Sequence, residues 1–572
     1  MIDLIFRNAR IVDGSGGPSR TGDLGVHDGR ITAIGTVAGR AKEEVDATDL
    51  VLAPGFIDPH THLDAQLFWD PALKPLSTFG VTTIVTGNCG YTFAPIDETT
   101  RDYVVAAISA VEQIPRDAIE AALPFDWSSL AEYFERLDQM PSLLNHATMV
   151  GHIPVRAAAM GPEAASTRTA RPDEIAKMVD LVREGLDLGA LGFSTDQVEG
   201  NIGPNGSKLP GQICADDELL AIARTLGESA GPGLMAMANR ALLLGREARE
   251  SDLRWHQRLA EASGKPVIFG PVFDDWNDRG VGVDLMDLLE RETRPGRTVV
   301  PQVLPRAFEL WMRVDEAGLL IRAMPSLLAA QRGGRAALRV LAADSTARAR
   351  LRNEADRIAP NLIFSGRWEH VLVKMTRPEN ADLVGQTLLD LAKERAVHPV
   401  DVLLDLAIEE DFETQFATSM RNDDDGELGR LVAHPSAMIG GSDAGAHVLI
   451  NTDSCAAVWM LQHWVRERGV LALEQAVHLL TGAQADLLGF RDRGRLAPGM
   501  AADLVLLDAD RVRVTSVAYV GDLPEGHRRL QPNAKGVHLS VVNGEIAMRD
   551  GVPSEARPGR FLRAATGKTG RR

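Results

Sequence analysis

"GFIDPHTHLDAQ", Gly55–Gln66, places two histidines one residue apart directly after an apolar run. Residues i and i+2 of an extended strand face the same way, so a strand through this stretch aims His60 and His62 at one point. Pro54 and Gly55 mark a tight entry into it from the segment before. Two imidazoles at a strand end ligate Zn²⁺ or a similar divalent ion when the fold converges on them. Elsewhere the same His-x-His is an ordinary surface or core pair.

Working outward, apolar runs recur along the chain: "TTIVTG", "HATMVGH", "GALGFST", "GLMAMAN", "KPVIFG" and "AMIGGSD", each followed by a helix-like stretch. "RPDEIAKMVDLVREGLDLGA" opens with Pro172, Asp173 and Glu174 and closes at Gly189, and "ADDELLAIARTLGESAG" repeats the design. Strand and helix alternating over this length predict an α/β chain, a distorted (β/α)8 TIM-type barrel rather than an open sheet.

Both chain ends have a different texture. "DLIFRNARIVDG", "GRITAIG" and "LVLAPG" at the start, and "ADLVLLDADRV" and "GVHLSVVNGEIAMRDG" at the end, read as short strands. "VNGE" carries an Asn-Gly hairpin turn. The expected division is residues 1–54 and 496–572 in one small β-sandwich domain, with the barrel over 55–495. From about 273 to 426 long helical stretches such as "AALRVLAADSTARARLRNEADRIAP" and the acidic "RNDDDGE" interrupt the rhythm. Such an insertion either covers the barrel mouth or decorates its periphery.

Bulk properties narrow the function. The 572 residues exceed one hydrophobic core, and 45% hydrophobic with 24% charged residues is ordinary globular composition. A net charge of −18 argues against nucleic acid or an anionic membrane as partner. The basic tail "GKTGRR" reads as a solvated end. Three cysteines, Cys89, Cys214 and Cys455, exclude a disulfide framework and suit a reducing cytoplasm. The opening residues lack a signal-peptide pattern, and no run is apolar enough to span a bilayer. "GSGGP" near residue 15 lacks the Gly-Lys-Ser/Thr and following helix of a phosphate loop.

A second strand end strengthens the metal reading. "GGSDAGAH" follows "AMI" and places Asp443 where it can bind an ion and take a proton from water; the plain alternative is a turn or helix-cap aspartate. Cys89 by itself is a small buried hydrophobe.

Together, "GFIDPHTHLDAQ", "GVTTIVTGNCG", "VGHIPVRAAAMG", "GALGFST", "GGSDAGAH" and "GRLAPGMAADLVLLD" resemble the amidohydrolase superfamily in order and content, and most closely its N-acyl-D-amino-acid deacylase (D-aminoacylase) branch. The resemblance covers nearly the whole chain and is weakest in the insertion. It implies metal-assisted hydrolysis of an amide, with His60 and His62 as the metal pair, Cys89 of "GNCG" as the cysteine ligand, and Asp443 binding metal and activating water.

The sequence also departs from the branch, which supplies a histidine after strand five in a "THMR"-like motif and another after strand six in "SHHK". Here the stretches read "MAMANR" and "PVIFGPV", with Ala238 and Gly270 in place of imidazoles and no carboxylate-binding lysine. Three outcomes stand open: one ion on His60, His62 and Asp443 with Cys89 as fourth ligand or neighbour; a site completed by another group such as Lys374 or His152; or no metal. His152, Arg240, Lys374 and His447 are candidate substrate-binding residues, His434 a structural cap, and Cys214 and Cys455 buried thiols. The expected activity is a zinc-dependent hydrolase with one ion per chain, cleaving the C–N bond of a small amide such as an N-acyl amino acid. A homo-oligomer is compatible with this reading. An ester, lactone or carbamate hydrolase and an inactive binding protein are the alternatives.

Overall fold

The computed structural model describes residues 2–293, 298–316, 320–358 and 364–566. The basic tail, 567–572, lies outside the described residues. Parallel strands separated by helices run through the middle of the chain: β1 (Phe56–Asp58), β2 (Val81–Thr86), β3 (Asn145–Thr148, resumed at Val150–Gly151), β4 (Gly192–Asp196), β5 (Leu234–Ala238), β6 (Val267–Val272), β7 (Val299–Val303) and β8 (Met438–Ile439). β1, β2 and the first part of β3 form one parallel sheet, and the second part of β3 with β4 to β8 forms another. At the free edges Thr61 bridges Ala444, Asp443 N donates to His60 O (3.1 Å) and His62 N donates to Ala444 O (2.7 Å). All residues of β2 and β4 are buried, as expected of parallel strands covered on both faces.

The expected helices form at Pro172–Asp187 and Asp216–Gly227, and Gly189 takes a positive φ of 101° just past the first.

Strands from both chain ends build a nine-stranded sheet. Val51–Pro54 pairs antiparallel with Leu504–Leu507 and joins the two halves. Side chains alternate across this sheet. Leu52, Leu504 and Leu506 enter a core with Leu4, Phe6 and Val541, while Val51, Ala53, Val505 and Leu507 join the large core around the parallel strands. The Asn543-Gly544 turn, with φ of 47° and 85°, closes the expected hairpin between Val537–Val542 and Glu545–Arg549.

The chain leaves the parallel sheet at Val303 and rejoins it at Met438. The span expected as an insertion from about 273 therefore begins too early, because the helix Val281–Glu292 and β7 continue the strand–helix alternation. The excursion holds an antiparallel sheet of Phe308–Met312, Gln415–Arg421 and Val371–Met375 under several helices, with a core of its own that includes Leu310, Leu338, Leu403 and Phe416. The expected long helix is two, Gly334–Ala343 and Ser345–Ala355. They part at Asp344, whose carboxylate caps the second by accepting from Thr346 N (2.8 Å); Ala359 and Pro360 lie outside the described residues.

Candidate active site

The ends of the parallel strands surround a cavity of about 190 Å³. His60, His62, Cys89 and Asp443 line it together. Asp443 Oδ1 lies 3.2 Å from His62 Nε2 and 3.8 Å from His60 Nε2, and Cys89 Sγ lies 3.4 Å from His60 Nε2. One donor atom from each of His60, His62 and Cys89 fits within 4.8 Å of the others. Two imidazoles, a thiol and a carboxylate at such spacing are a donor set that fits a divalent transition-metal ion.

Local structure explains the convergence. Asp58, buried at the end of β1, accepts from His60 N (3.2 Å) and Ser442 N (3.2 Å), so one carboxylate ties the His-x-His segment to the loop carrying Asp443. Burial pushes the Asp58 carboxyl up to about 6. Cys89 and Asp443 both adopt positive φ, 51° and 54°, so each side chain projects from a sharp bend rather than a regular strand.

Both histidines turn Nε2 toward Asp443 and Nδ1 toward a second partner. His60 Nδ1 faces the Gln302 amide, 3.0 Å from its Nε2 and 3.2 Å from its Oε1. His62 Nδ1 faces Glu112 Oε1 at 3.8 Å, and both side chains are buried. The two rings consequently differ in charge. Burial lowers His60 to about 4, whereas in His62 the Glu112, Asp443 and Cys89 side chains overcome burial and raise the ring well above its ordinary value. Asp443 falls below the usual carboxylate range because His62, His60 and His447 outweigh its burial. Burial drives the Cys89 thiol up to about 12, so without a cation it stays protonated.

The positions where the resemblance leads one to expect imidazoles are Ala238 and Gly270, and both line the cavity without offering a donor side chain. A Cβ on Gly270 would lie 2.6 Å from Gln302 Cβ, and one on Gly440 would lie 2.3 Å from Gln302 Cγ. Gln302 therefore fills the space where a side chain from β6 would project. Sequence reasoning missed it, together with Glu112, Asp196 and Arg421, all of which line the cavity. Asp196 ends β4 and accepts from Val198 N (2.8 Å) and Asn201 Nδ2 (2.6 Å), and burial raises it to about 6.

His447, a candidate substrate residue, lines the cavity and keeps a buried Nδ1 without a partner, and burial lowers its ring. The structure places the other three candidates outside the cavity lining. His152 is outside the cavity lining and spends both nitrogens on structure, at 2.8 Å from Thr195 Oγ1 and 2.8 Å from Glu218 Oε1. Arg240 turns to Asp252 (3.6 Å), Asp216 (3.7 Å) and the Trp255 ring. Lys374 pairs with Glu309 at 2.7 Å on the inserted sheet. Lys374 and His152 thus stand apart from the cluster of His60, His62, Cys89 and Asp443. His152, Cys214 and Glu218 form a second cluster of possible ligands, but Arg156 Nε already lies 3.0 Å from Glu218 Oε1 and supplies its positive charge.

The inserted unit contributes Phe308, Leu310, Met420 and Arg421 to the cavity wall, so it closes over the strand ends. Among the described residues Arg421 is the one lysine or arginine lining the cavity. Its Nε lies 3.1 Å from Asp275 Oδ2, and the same carboxylate receives Arg249 Nη2 at 2.8 Å.

Comparison with known proteins finds relatives over nearly the whole chain. The family model described as "Amidohydrolase family" matches residues 43–548. A D-aminoacylase of Alcaligenes xylosoxydans xylosoxydans is 29% identical, covering 98% of this chain and 97% of its own. An N-acyl-D-aspartate deacylase of the same organism is 27% identical over 98% of this chain and 95% of its own. A solved D-aminoacylase, described by the functional role of its binuclear metal centre, superposes with a TM-score of 0.66 at 26% identity, over 98% of this chain and all of that one.

Proposed function

The chain belongs to the amidohydrolase family, and on that premise we propose that it hydrolyses the C–N bond of an N-acyl amino acid or closely related amide at the cavity floored by His60, His62 and Asp443. The observation that carries the reading is the 3.2 Å approach of Asp443 Oδ1 to His62 Nε2, with His60 Nε2 at 3.8 Å. His60, His62 and Asp443 would hold one zinc ion, with Cys89 as fourth ligand or close neighbour. A single ion suits a site in which Ala238 and Gly270 stand in place of two imidazoles. A divalent ion bound there supplies Lewis acidity to the amide carbonyl and acidifies water.

The protein's own groups do the rest. Asp443 takes a proton from the attacking water and returns it to the departing nitrogen, so water adds across the C–N bond and leaves a carboxylate and an amine. Arg421 receives the substrate carboxylate in place of the absent lysine. Phe273, Leu304, Phe308, Leu310 and Ile450 accept the acyl chain and exclude solvent.

In this reading the two parallel sheets are one distorted (β/α)8 barrel closed by the Thr61–Ala444 bridge. The nine-stranded sheet is the small β-sandwich of both chain ends, and residues 304–437 are an insertion over the mouth. Among the described residues no helix is long and apolar enough to cross a membrane.

The test is elemental analysis of purified protein, followed by turnover of a panel of N-acyl amino acids with and without added zinc. Zinc near one equivalent with chelator-sensitive hydrolysis is expected. Protein that neither takes up a transition metal nor cleaves any member of the panel would sink the reading.

A further inference from the structure

Glu112 is a buried carboxylate that the reaction above does not use. It ends the helix Glu98–Glu112, which Asp97 starts by accepting from Thr99 N and Thr100 N, and Gln113 terminates it in the left-handed region at φ 56°. The helix therefore has a fixed start and a fixed end, and Glu112 lines the cavity from its last position. Its main-chain carbonyl accepts from His447 N at 2.6 Å, which fastens the helix to the loop carrying Asp443. Its carboxylate lies 3.8 Å from His62 Nδ1, and that nitrogen is a buried polar atom with no hydrogen-bond partner. A separation of 3.8 Å closes with a small rotation of either side chain or with one bridging water.

A buried, unpartnered ring nitrogen aimed at a buried carboxylate is an arrangement with a use. An imidazole that ligates a metal through one nitrogen is oriented, and made more basic, when its other N–H is held by a carboxylate. His60 has no such anion: its Nδ1 meets the neutral amide of Gln302. We infer that Glu112 is a positioning residue that holds His62 by Nδ1–H with Nε2 turned to Asp443, making His62 the stronger and His60 the weaker imidazole ligand of the site. The inference rests on the reading of His62 as a metal ligand. Glu112 touches no reacting atom; it acts through the ring.

The test is zinc affinity, read by competition between the full-length protein and a chromogenic chelator, in the wild type and in E112Q, E112A, Q302A and H62A. Thermal melts of the metal-free forms check folding. E112Q and E112A are expected to bind zinc about 10- to 100-fold more weakly, and more weakly than Q302A, with metal-free melts close to wild type. E112Q keeps the shape of the side chain and decides the matter if E112A fails to fold. E112Q affinity within about twofold of wild type, with H62A strongly impaired, would overturn the role of Glu112 and leave the metal centre standing. Unaltered zinc binding in H62A, or none in the wild type, would overturn both.

Discussion

Gln302 lies across the face of Gly270, so close that a β-carbon on that glycine would come within 2.6 Å of Gln302 Cβ. The two residues sit on neighbouring strands, β6 and β7, and only the smaller side chain on one admits the larger on the other. Gly270→Ala should therefore destabilise the protein by about 1–3 kcal/mol through overpacking, and Gln302→Gly in the same chain, which removes the contacted Cβ, should recover part of the loss. Urea denaturation of the two single variants and the double variant measures the coupling. Strictly additive effects would mean that the contact is not the source of the strain.

In the proposed mechanism Asp443 moves the proton. At saturating zinc, Asp443→Asn should lower kcat by about 10²- to 10⁴-fold, the range lost with a general acid–base group. Steady-state rates with metal content measured on the same samples separate this from simple loss of the ion. A variant that keeps its metal and its kcat removes Asp443 from proton transfer.

Arg421→Gln should raise KM for N-acyl amino acids about tenfold to a hundredfold, the worth of hydrogen bonds to a charged group. The corresponding amides, which lack the carboxylate, should change little. An equal rise for both substrate types would point to collapse of the cavity wall instead.

His146 gives the fold a pH response remote from the metal. Its ring is fully buried, stacks on Phe561 and stands 3.3 Å from Leu137 O, and burial lowers its pKa from 6.5 to about 4. Between those values the unfolded chain binds the proton and the native chain does not, so stability falls as pH falls through this window. The loss is on the order of 3 kcal/mol when complete. His146→Gln should flatten that part of the profile in chemical denaturation of the metal-free protein.

Metal removal should lower Tm, and stoichiometric zinc should restore it, because an ion that binds only the assembled site adds its binding free energy to folding. Differential scanning calorimetry before and after dialysis against chelator reads the shift. An unchanged Tm in a chain proven to have bound zinc would place the ion on an unstructured surface site.

His60, His62 and Asp443 were legible in sequence because each follows an apolar run, and a strand's two-residue period says where His60 and His62 point; Cys89 was marked by the family resemblance alone. The same logic hid Gln302. Its strand, "VVPQV", carries a proline that disfavours a strand interior and falls inside the span read as an insertion from its helical stretches. Glu112 sits at a helix end, where one carboxylate among many carries no mark. Arg421 belongs to the inserted antiparallel sheet, which no parallel-strand pattern announces. Arg240, Lys374 and His152 lie outside the cavity lining for a related reason: each occupies a plausible place along the chain, and only packing decides which way a strand-end or helix-start side chain turns.

Asp58 reaches across to Ser442, a residue 384 positions later in the chain. A ribosome will thus have made the imidazoles and the thiol long before it makes the carboxylate that sits against them. During synthesis those early groups stand without the carboxylate that completes the proposed site. On the proposed reading, the full donor set for an ion exists only once the last parallel strand docks against the first.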